Sequence, residues 1–486
     1  MSSIYKDEKS ILERARKCVG LTIEEIYQKS GIEQKKLNLK NKGNIGNLIE
    51  KHWFGIENNN SPLPDFQEAG IELKVIPLTQ NKDRTISVKE RTKVCSIDFK
   101  KLFDEKWESS HAKSKLNKIL FIYYIYDKEK ILNSKVKKID LYDLGGNDLK
   151  IIKNDWLNVK EHVVQGKAHE LSETISKILA ASRSGSGGIN KKTGKERDLV
   201  EQPNKDYRTE ALKRAFSLKQ SFTNQRWNEI NKKKYESILE LLKTTSENFE
   251  NAIINKLSEL TGKTLGIIAN DFNIKVPNSK NAAATIVKKA IGFKSVNSRI
   301  KEFEQLGIQV KTIPIREGDL RPWEAVSFQT FKLKELVKEK FYEGEDGEEE
   351  WDQCTLKNDL NRILFIPIIR SKKDGIEVED RVFGKPFFWS PSSEQIKIIE
   401  EEWRKYIHEI NSGKAKVTRV SHGNDYREVS GLSKESDTKI IHIRPHAKDR
   451  TDRDEDNFGN SIVKQSFWLN KSFLQCLLVN NYKKEM

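Results

Sequence analysis

Three carboxylates and a lysine stand at spacings that could do phosphodiester chemistry. Asp65 follows Pro64, Glu72 and Lys74 come seven and nine residues later, and Glu50 lies fifteen residues upstream of Asp65. Hydrolysis of a phosphodiester calls for a metal ion that polarises the phosphate and lowers the pKa of water, and carboxylates hold such an ion. Mg2+ prefers oxygen ligands and keeps several of its waters. A lysine beside the acids can reach the attacking water or the scissile phosphate, its own pKa set by its charged neighbours.

The elements around these residues must bring them together. Residues 71–76, Ile-Glu-Leu-Lys-Val-Ile, alternate in the manner of a strand, which puts Glu72 and Lys74 on one face. Asp65, in the loop before the strand, can then meet Glu72 at its start. Glu50 sits in GNLIEKHWFG, where the pattern predicts a helix able to project it into the same cluster. The spacing by itself fits a solvated ion pair on an exposed strand edge equally well.

The whole chain favours a polyanion as partner. Its 486 residues carry 88 Lys+Arg against 72 Asp+Glu, a net charge of +16, which points to nucleic acid. That length suits two or three domains. Cys18, Cys95, Cys354 and Cys476 are far apart and lack CxxC spacing, so a zinc ribbon or disulfide framework is not expected and a reducing compartment is. MSSIYKDEKS has early charges and no apolar segment, unlike a signal peptide, and no stretch approaches the ~20 apolar residues of a membrane span. A cytoplasmic protein is expected. No HExxH, GxxxxGKS or GxSxG motif is present, which argues against zinc proteases, P-loop NTPases and serine hydrolases.

The chain also contains itself twice. VGLTIEEIYQKSGI (19–32) is echoed by TGKTLGIIANDFNI (261–274), and AGIELKVIPL (69–78) by LGIQVKTIPI (306–315). WESSHAKSKLNKILFIYYI from Trp107 answers to WDQCTLKNDLNRILFIPII from Trp351. Trp156 with QGKA (165–168) matches Trp403 with SGKA (412–415), and FSLKQSF (216–222) matches FWLNKSF (467–473). Five matches in one order, with a slowly drifting offset, indicate a duplicated domain with loop insertions. Each copy reads as helices, then strands at 71–76 or 308–313 and at 119–125 or 363–369, then a long helix around Trp156 or Trp403, then a strand and helix. That order predicts an α/β fold with a mixed central sheet flanked by helices. The expected division is a catalytic domain over 1–230, a helical linker over 231–248 and a second domain over 249–486. Residues 182–197 and 343–350 read as loops.

KGNIGNLIEKHWFG, PDFQEAGIELKVIP and WESSHAKSKLNKILF closely resemble MutH, the GATC-specific nickase of mismatch repair. In the second half FFWSPSSEQIKIIEEEW, IHIRPHAKDR and KQSFWLNKSF resemble the later part of MutH. The two-copy layout looks like the GATC-cutting type II restriction endonucleases built from two MutH-like, PD-(D/E)xK domains. The resemblance implies Glu50, Asp65, Glu72 and Lys74 as catalytic residues, with the three acids as Mg2+ ligands. It adds Lys115 beside the active site, compensating charge at the phosphate. Lys42 and Gly43 match the loop that enters the DNA. Arg183 falls near the major-groove reading loop, where arginine suits guanine O6 and N7. Ser217 stands where MutH has a tyrosine against the adenine. In the second copy, aligning Lys74 with Lys311 puts Glu302 at Asp65, Gln309 at Glu72, Asp359 at Lys115, and Lys288 or a neighbour at Glu50. Only Glu302 could still bind metal there. The second copy keeps Arg444, Pro445, His446 and Lys448 as an Arg-Pro recognition loop.

The implied function is Mg2+-dependent cleavage of double-stranded DNA at GATC, with the second copy binding DNA as an effector and the chain self-associating on DNA. A MutH-like nickase and a non-cleaving DNA-binding protein are the alternatives. His111 sits in a candidate DNA-facing segment, and Trp156 and Trp403 are expected in the core of their helices.

Overall fold

The apolar run KILFIYYI forms the inner strand of a four-stranded sheet in the computed structural model of the chain. The structure describes residues 5–30, 43–56, 61–80, 85–127, 129–185, 198–203, 210–275, 282–295, 299–341, 352–371, 376–422 and 425–482. These fall into two compact units, one holding Met1–Lys234 and the other Tyr235–Phe303, Gly307–Phe341 and Asp352–Met486.

In the first unit the sheet order is Ile86–Val88, Glu72–Gln80, Lys118–Ile125, Lys135–Asp143. Glu72–Gln80 and Lys118–Ile125 run parallel, and both outer pairings are antiparallel, so the sheet is mixed. Leu120, Phe121, Ile122 and Tyr123 are wholly buried, because helices and the N-terminal segment cover both faces of the inner strand. The helix Gly146–Val164 packs its Trp156 inward beside Trp107. A second sheet joins Thr92–Ile97, Arg214–Leu218 and Leu179–Arg183.

The second unit repeats this plan. Ile308–Arg316 runs parallel to Arg362–Arg370, and Val326–Phe331, Gln465–Leu469 and Ile441–Pro445 make the second sheet. The registers coincide. Glu72 pairs with Ile119 and Lys74 with Phe121; Gln309 pairs with Ile363 and Lys311 with Phe365. The fold is therefore two tandem α/β units of one plan, as the repeats predicted.

The long helix of each unit carries a buried acid just before its tryptophan. Asp155 accepts hydrogen bonds from the backbone N–H groups of Lys177, Ile178 and Leu179. Glu402 accepts from those of Lys439, Ile440 and Ile441. Each acid thus fixes the start of a strand, Leu179–Arg183 or Ile441–Pro445, that belongs to the second sheet.

Three expectations need correction. The helical linker expected over 231–248 is a two-residue strand, Tyr235–Glu236, followed by one short helix, Ile238–Leu241. Lys232 and Lys243 adopt positive φ of 59° and 47°, which breaks a continuous helix on both sides. Residues 43–53 are helical, but the α-helix ends at Leu48 and Ile49–Trp53 winds as a π-turn. Arg183 is the last residue of a strand rather than part of a loop. Residues 343–350 and 186–197 lie outside the described residues. All four cysteines are free, and among the described residues no helix is long and apolar enough to cross a membrane.

The Asp155 anchor yields a stability test. Asp155→Ala leaves three buried N–H groups without acceptors, each costing roughly 1–3 kcal/mol. Chemical unfolding of the variant should show a loss of about 3 kcal/mol or more, and Asp155→Asn, which keeps one acceptor oxygen, a smaller one. A loss under about 1 kcal/mol for the alanine would mean that the amides find other partners.

Candidate active site

Glu72 is the first residue of its strand, and its carboxylate is buried, with a relative exposure of 1%. Lys74, two residues on and facing the same way, brings Nζ within 2.6 Å of Glu72 Oε1. Lys115 comes from the helix His111–Leu116, which leads directly into the neighbouring parallel strand. Its Nζ lies 2.9 and 3.0 Å from the two oxygens of Glu72. The exposed ion pair that the spacing also allowed is ruled out, since one carboxylate is held between two lysines under cover.

Asp65 reaches this cluster through a tight turn. Phe66 and Ile71 exchange backbone hydrogen bonds, and Gly70 closes the turn at φ +65°, a conformation that favours glycine. Asp65 Oδ2 accepts from the N–H of Leu73 at 2.9 Å, which ties the turn to the strand. Glu50 enters from the π-turn, where the extra residue per turn shifts its direction relative to an α-helix.

Electrostatics joins the five side chains. Burial, then the neighbouring charges of Asp65 and Glu72, push Glu50 up to about 7, against the pull of Lys74 and Lys115. Asp65 is raised as well, by burial and then by Glu72. For Lys74 burial acts against the charge, but Glu72, Asp65 and Glu50 outweigh it and hold the ammonium above its ordinary range. Cys95 borders the cluster unannounced by any spacing. Burial pushes its thiol up to about 12, so it is a neutral wall. His111 is lowered by burial and by Lys115, and its Nε2 is buried with no hydrogen-bond partner.

Among the described residues no three His, Cys, Asp or Glu side chains are gathered closely enough to hold a metal ion as they stand. The reason is visible in the hydrogen bonds. Both oxygens of Glu72 face lysine ammonium groups, and Asp65 Oδ2 faces an amide. The donor chemistry nonetheless fits a hard divalent cation. It is oxygen-only, and two of its three acids are raised by burial and mutual repulsion, a deficit of positive charge that such a cation would meet.

The aligned positions of the second unit keep the geometry and lose the charge. Gln309 Nε2 donates to Asp359 Oδ1 at 2.8 Å, and Gln329 Nε2 reaches the same oxygen at 3.3 Å. Asp359 ends the helix Thr355–Asp359 as Lys115 lies in the last turn of His111–Leu116. Lys311 Nζ donates to the carbonyl of Ser327 at 2.9 Å instead of to an acid at its side. Burial lowers Lys311 and raises Asp359. Glu302, expected as the one remaining metal acid, accepts from Ser237 Oγ and from the N–H of Ile238, so it caps a short helix.

The expected DNA-facing residues divide. Arg444, Pro445 and Lys448 are exposed along one strand and the turn after it. The Arg444 guanidinium lies 4.8 Å from the Trp468 ring, and the His446 ring lies 5.1 Å from it on a strand neighbour. In the first unit Ser217 does not present a surface: it is buried, and its hydroxyl bonds that of Ser182 at 2.7 Å. Arg183 aligns by register with Pro445, not with Arg444. Gly43 starts its helix, and Lys42 lies outside the described residues.

The raised Glu50 has a consequence for stability without added cation. Its folded pKa, about 7, exceeds the ordinary 4.5, so the folded state binds the proton more tightly. Stability is then greatest below the unfolded pKa and falls as pH rises from near 4.5 through about 7. Glu50→Gln should flatten that fall when unfolding is measured in chelator across this range. An identical pH profile for wild type and variant would remove Glu50 from the buried cluster.

Comparison with known proteins agrees with this arrangement. The family model described as DNA mismatch repair enzyme MutH matches twice, over residues 54–155 and 291–402. The type II restriction enzyme Sau3AI of Staphylococcus aureus is 27% identical over 504 residues, covering 97% of this chain and 98% of that one. The DNA mismatch repair protein MutH of Vibrio parahaemolyticus is 27% identical over 222 residues, 45% of this chain and 92% of its own. That of Haemophilus ducreyi is 26% identical over 239 residues, 48% of this chain and 93% of its own. The buried charge cluster of the first unit and its altered counterpart in the second thus each fall within or beside a segment similar to MutH.

Proposed function

We infer that the chain is a type II restriction endonuclease that hydrolyses both strands of duplex DNA at GATC, with Mg2+ as cofactor, in the reducing cytoplasm. The observation that carries this is the asymmetry between the units: Glu50, Asp65, Glu72, Lys74 and Lys115 converge in the first, and Gln309 with Asp359 replaces the ion pair in the second. The end-to-end match to a restriction enzyme favours it over a mismatch-repair nickase, because the MutH relatives match under half of this chain. The buried cluster disfavours a binding protein that does not cut.

In the reaction a water oxygen attacks phosphorus as the bond from phosphorus to the leaving deoxyribose oxygen breaks. A bound Mg2+ would polarise the phosphate and lower the pKa of water. Glu50, Asp65 and Glu72 would hold it. Lys74 donates to the attacking water or to a phosphate oxygen, and Lys115 offsets the charge that develops there. Both lysines must release Glu72 to do so, which places them near the phosphate as the acid turns to its ligand role.

Asp65→Ala, Glu72→Ala and Lys74→Ala should each abolish cleavage of a GATC plasmid while DNA binding persists, since the chemical step is lost and the phosphate-contacting surface is not. Linear product marks a restriction enzyme, nicked circles a nickase, and unaltered plasmid a binding protein. Near wild-type cutting by any of the three variants would refute the site. Gln309→Ala should leave the rate of the chemical step unchanged.

One catalytic set per chain serves one strand at a time. We infer that two chains meet on DNA and that GATC bound at the second unit, through Arg444, Pro445, His446 and Lys448, promotes their association, a coupling between separate sites. A plasmid with two GATC sites should be cut faster than one with a single site, and a GATC oligonucleotide should speed the single-site reaction. Arg444→Ala should abolish the stimulation and spare basal cutting. Equal rates on both plasmids would reduce the second unit to scaffold.

A further inference from the structure

The two units differ most in one insertion. Ala168 and Ala415 match, and Leu179 and Ile441 hold the same place in the second sheet. The first interval spans 11 positions (179 − 168) and the second 26 (441 − 415), so the second unit carries fifteen extra residues there. They form a two-stranded antiparallel ribbon, Val417–His422 with Asp425–Ser430, which pairs with no third strand among the described residues.

Register assigns the two faces. Arg419 opposes Glu428, and Ser421 opposes Tyr426; Thr418 opposes Val429, and Val420 opposes Arg427. The first face is fastened to the chain that follows the Arg444–Lys448 segment. Arg453 pairs with Glu428 at 3.1 Å, and Arg450 donates to the Tyr426 carbonyl at 3.4 Å. The guanidinium groups of Arg419 and Arg450 lie 4.5 and 5.0 Å from the Tyr426 ring. The other face points away. On it Thr418, Val420 and Arg427 are exposed, Val420 to 49%, and Lys416, the residue just before the strand, is exposed as well. By register this face also carries the His422–Asp425 pair at the tip of the ribbon, so Lys416 and Arg427 are its described cations at the end away from the tip and in the middle.

We propose that this ribbon is a phosphate clamp, by which the second unit grips the backbone of duplex DNA beside the Arg444–Lys448 segment. The proposal rests on the DNA-binding reading of that unit. A free-standing ribbon has no core to cover, and its fastening to the recognition segment fixes its position relative to whatever that segment touches. The two exposed cations Lys416 and Arg427 suit phosphate contact, which is independent of sequence.

The test compares the full-length chain with its Lys416→Ala/Arg427→Ala variant on short duplexes with and without GATC, in chelator, by fluorescence anisotropy over a range of salt. Each lost phosphate contact lowers the slope of log K against log[salt] by about one, so the variant's slope should fall by about two on both duplexes. Lys416→Arg/Arg427→Lys should keep the wild-type slope, which separates charge from folding. An unchanged slope and affinity in the alanine variant, with wild type binding well, overturns the clamp and spares the DNA reading. A loss confined to the GATC duplex overturns it in favour of base contacts. Wild type that binds neither duplex overturns the DNA reading and the clamp together.

Discussion

The carboxylate of Glu72, buried between Lys74 and Lys115, depends on a parallel pairing of two strands for its position, and the first unit is arranged to maintain that pairing. Lys74 reaches Glu72 because a strand repeats every two residues. Lys115 reaches it because its short helix runs without a loop into the adjacent strand. A slip of one residue between those strands would turn Glu72 and Lys74 to the opposite face. Ile119–Tyr124 are buried and pair residue by residue with Glu72–Pro77, so core packing holds the pairing that sets the geometry of the cluster.

A buried ion pair is costly to break by removing one partner and can be replaced as a whole by a neutral or reversed pair. The second unit shows that path taken. Glu72 and Lys115 become Gln309 and Asp359, so the donor and acceptor change sides while a hydrogen bond of similar length survives. The strand register is unaltered. The altered charge pattern therefore goes with an unchanged strand register, and Glu302, the acid aligned with Asp65, caps a short helix.

What was legible in the sequence follows from period and repetition. The strands at 72–80, 118–125, 308–316 and 362–370 were visible because alternation and apolar runs are local signals, and the copies agreed with each other. The convergence of Glu72, Lys74 and Lys115 followed from the same periods and from resemblance. Other features rest on contacts distant in sequence. The π-turn under Glu50 has no residue signature, and the capping of Ile238 by Glu302 joins residues 64 positions apart. Ser217 was placed at the DNA by its match to a MutH tyrosine, whereas its hydroxyl is buried and bonded to that of Ser182 across the sheet. Arg183 read as part of a Gly/Ser/Lys loop, but it ends the strand Leu179–Arg183, where the register aligns it with Pro445.

In each unit the Glu72 or Gln309 position and the Arg183 or Arg444 segment stand on different sheets. The reactive cluster stands on the central sheet, and Arg444 stands on the three-stranded one, whose first residues are held by the carboxylate of Glu402. Asp155 does the same for the first unit. The long helix is the shared support, because its buried tryptophan packs into the core while the acid beside it fixes the recognition strand. Substitutions in the central sheet can then change the buried charge without disturbing Arg444, Trp468 and His446, because the same helix anchors the corresponding strand of the second sheet in both units.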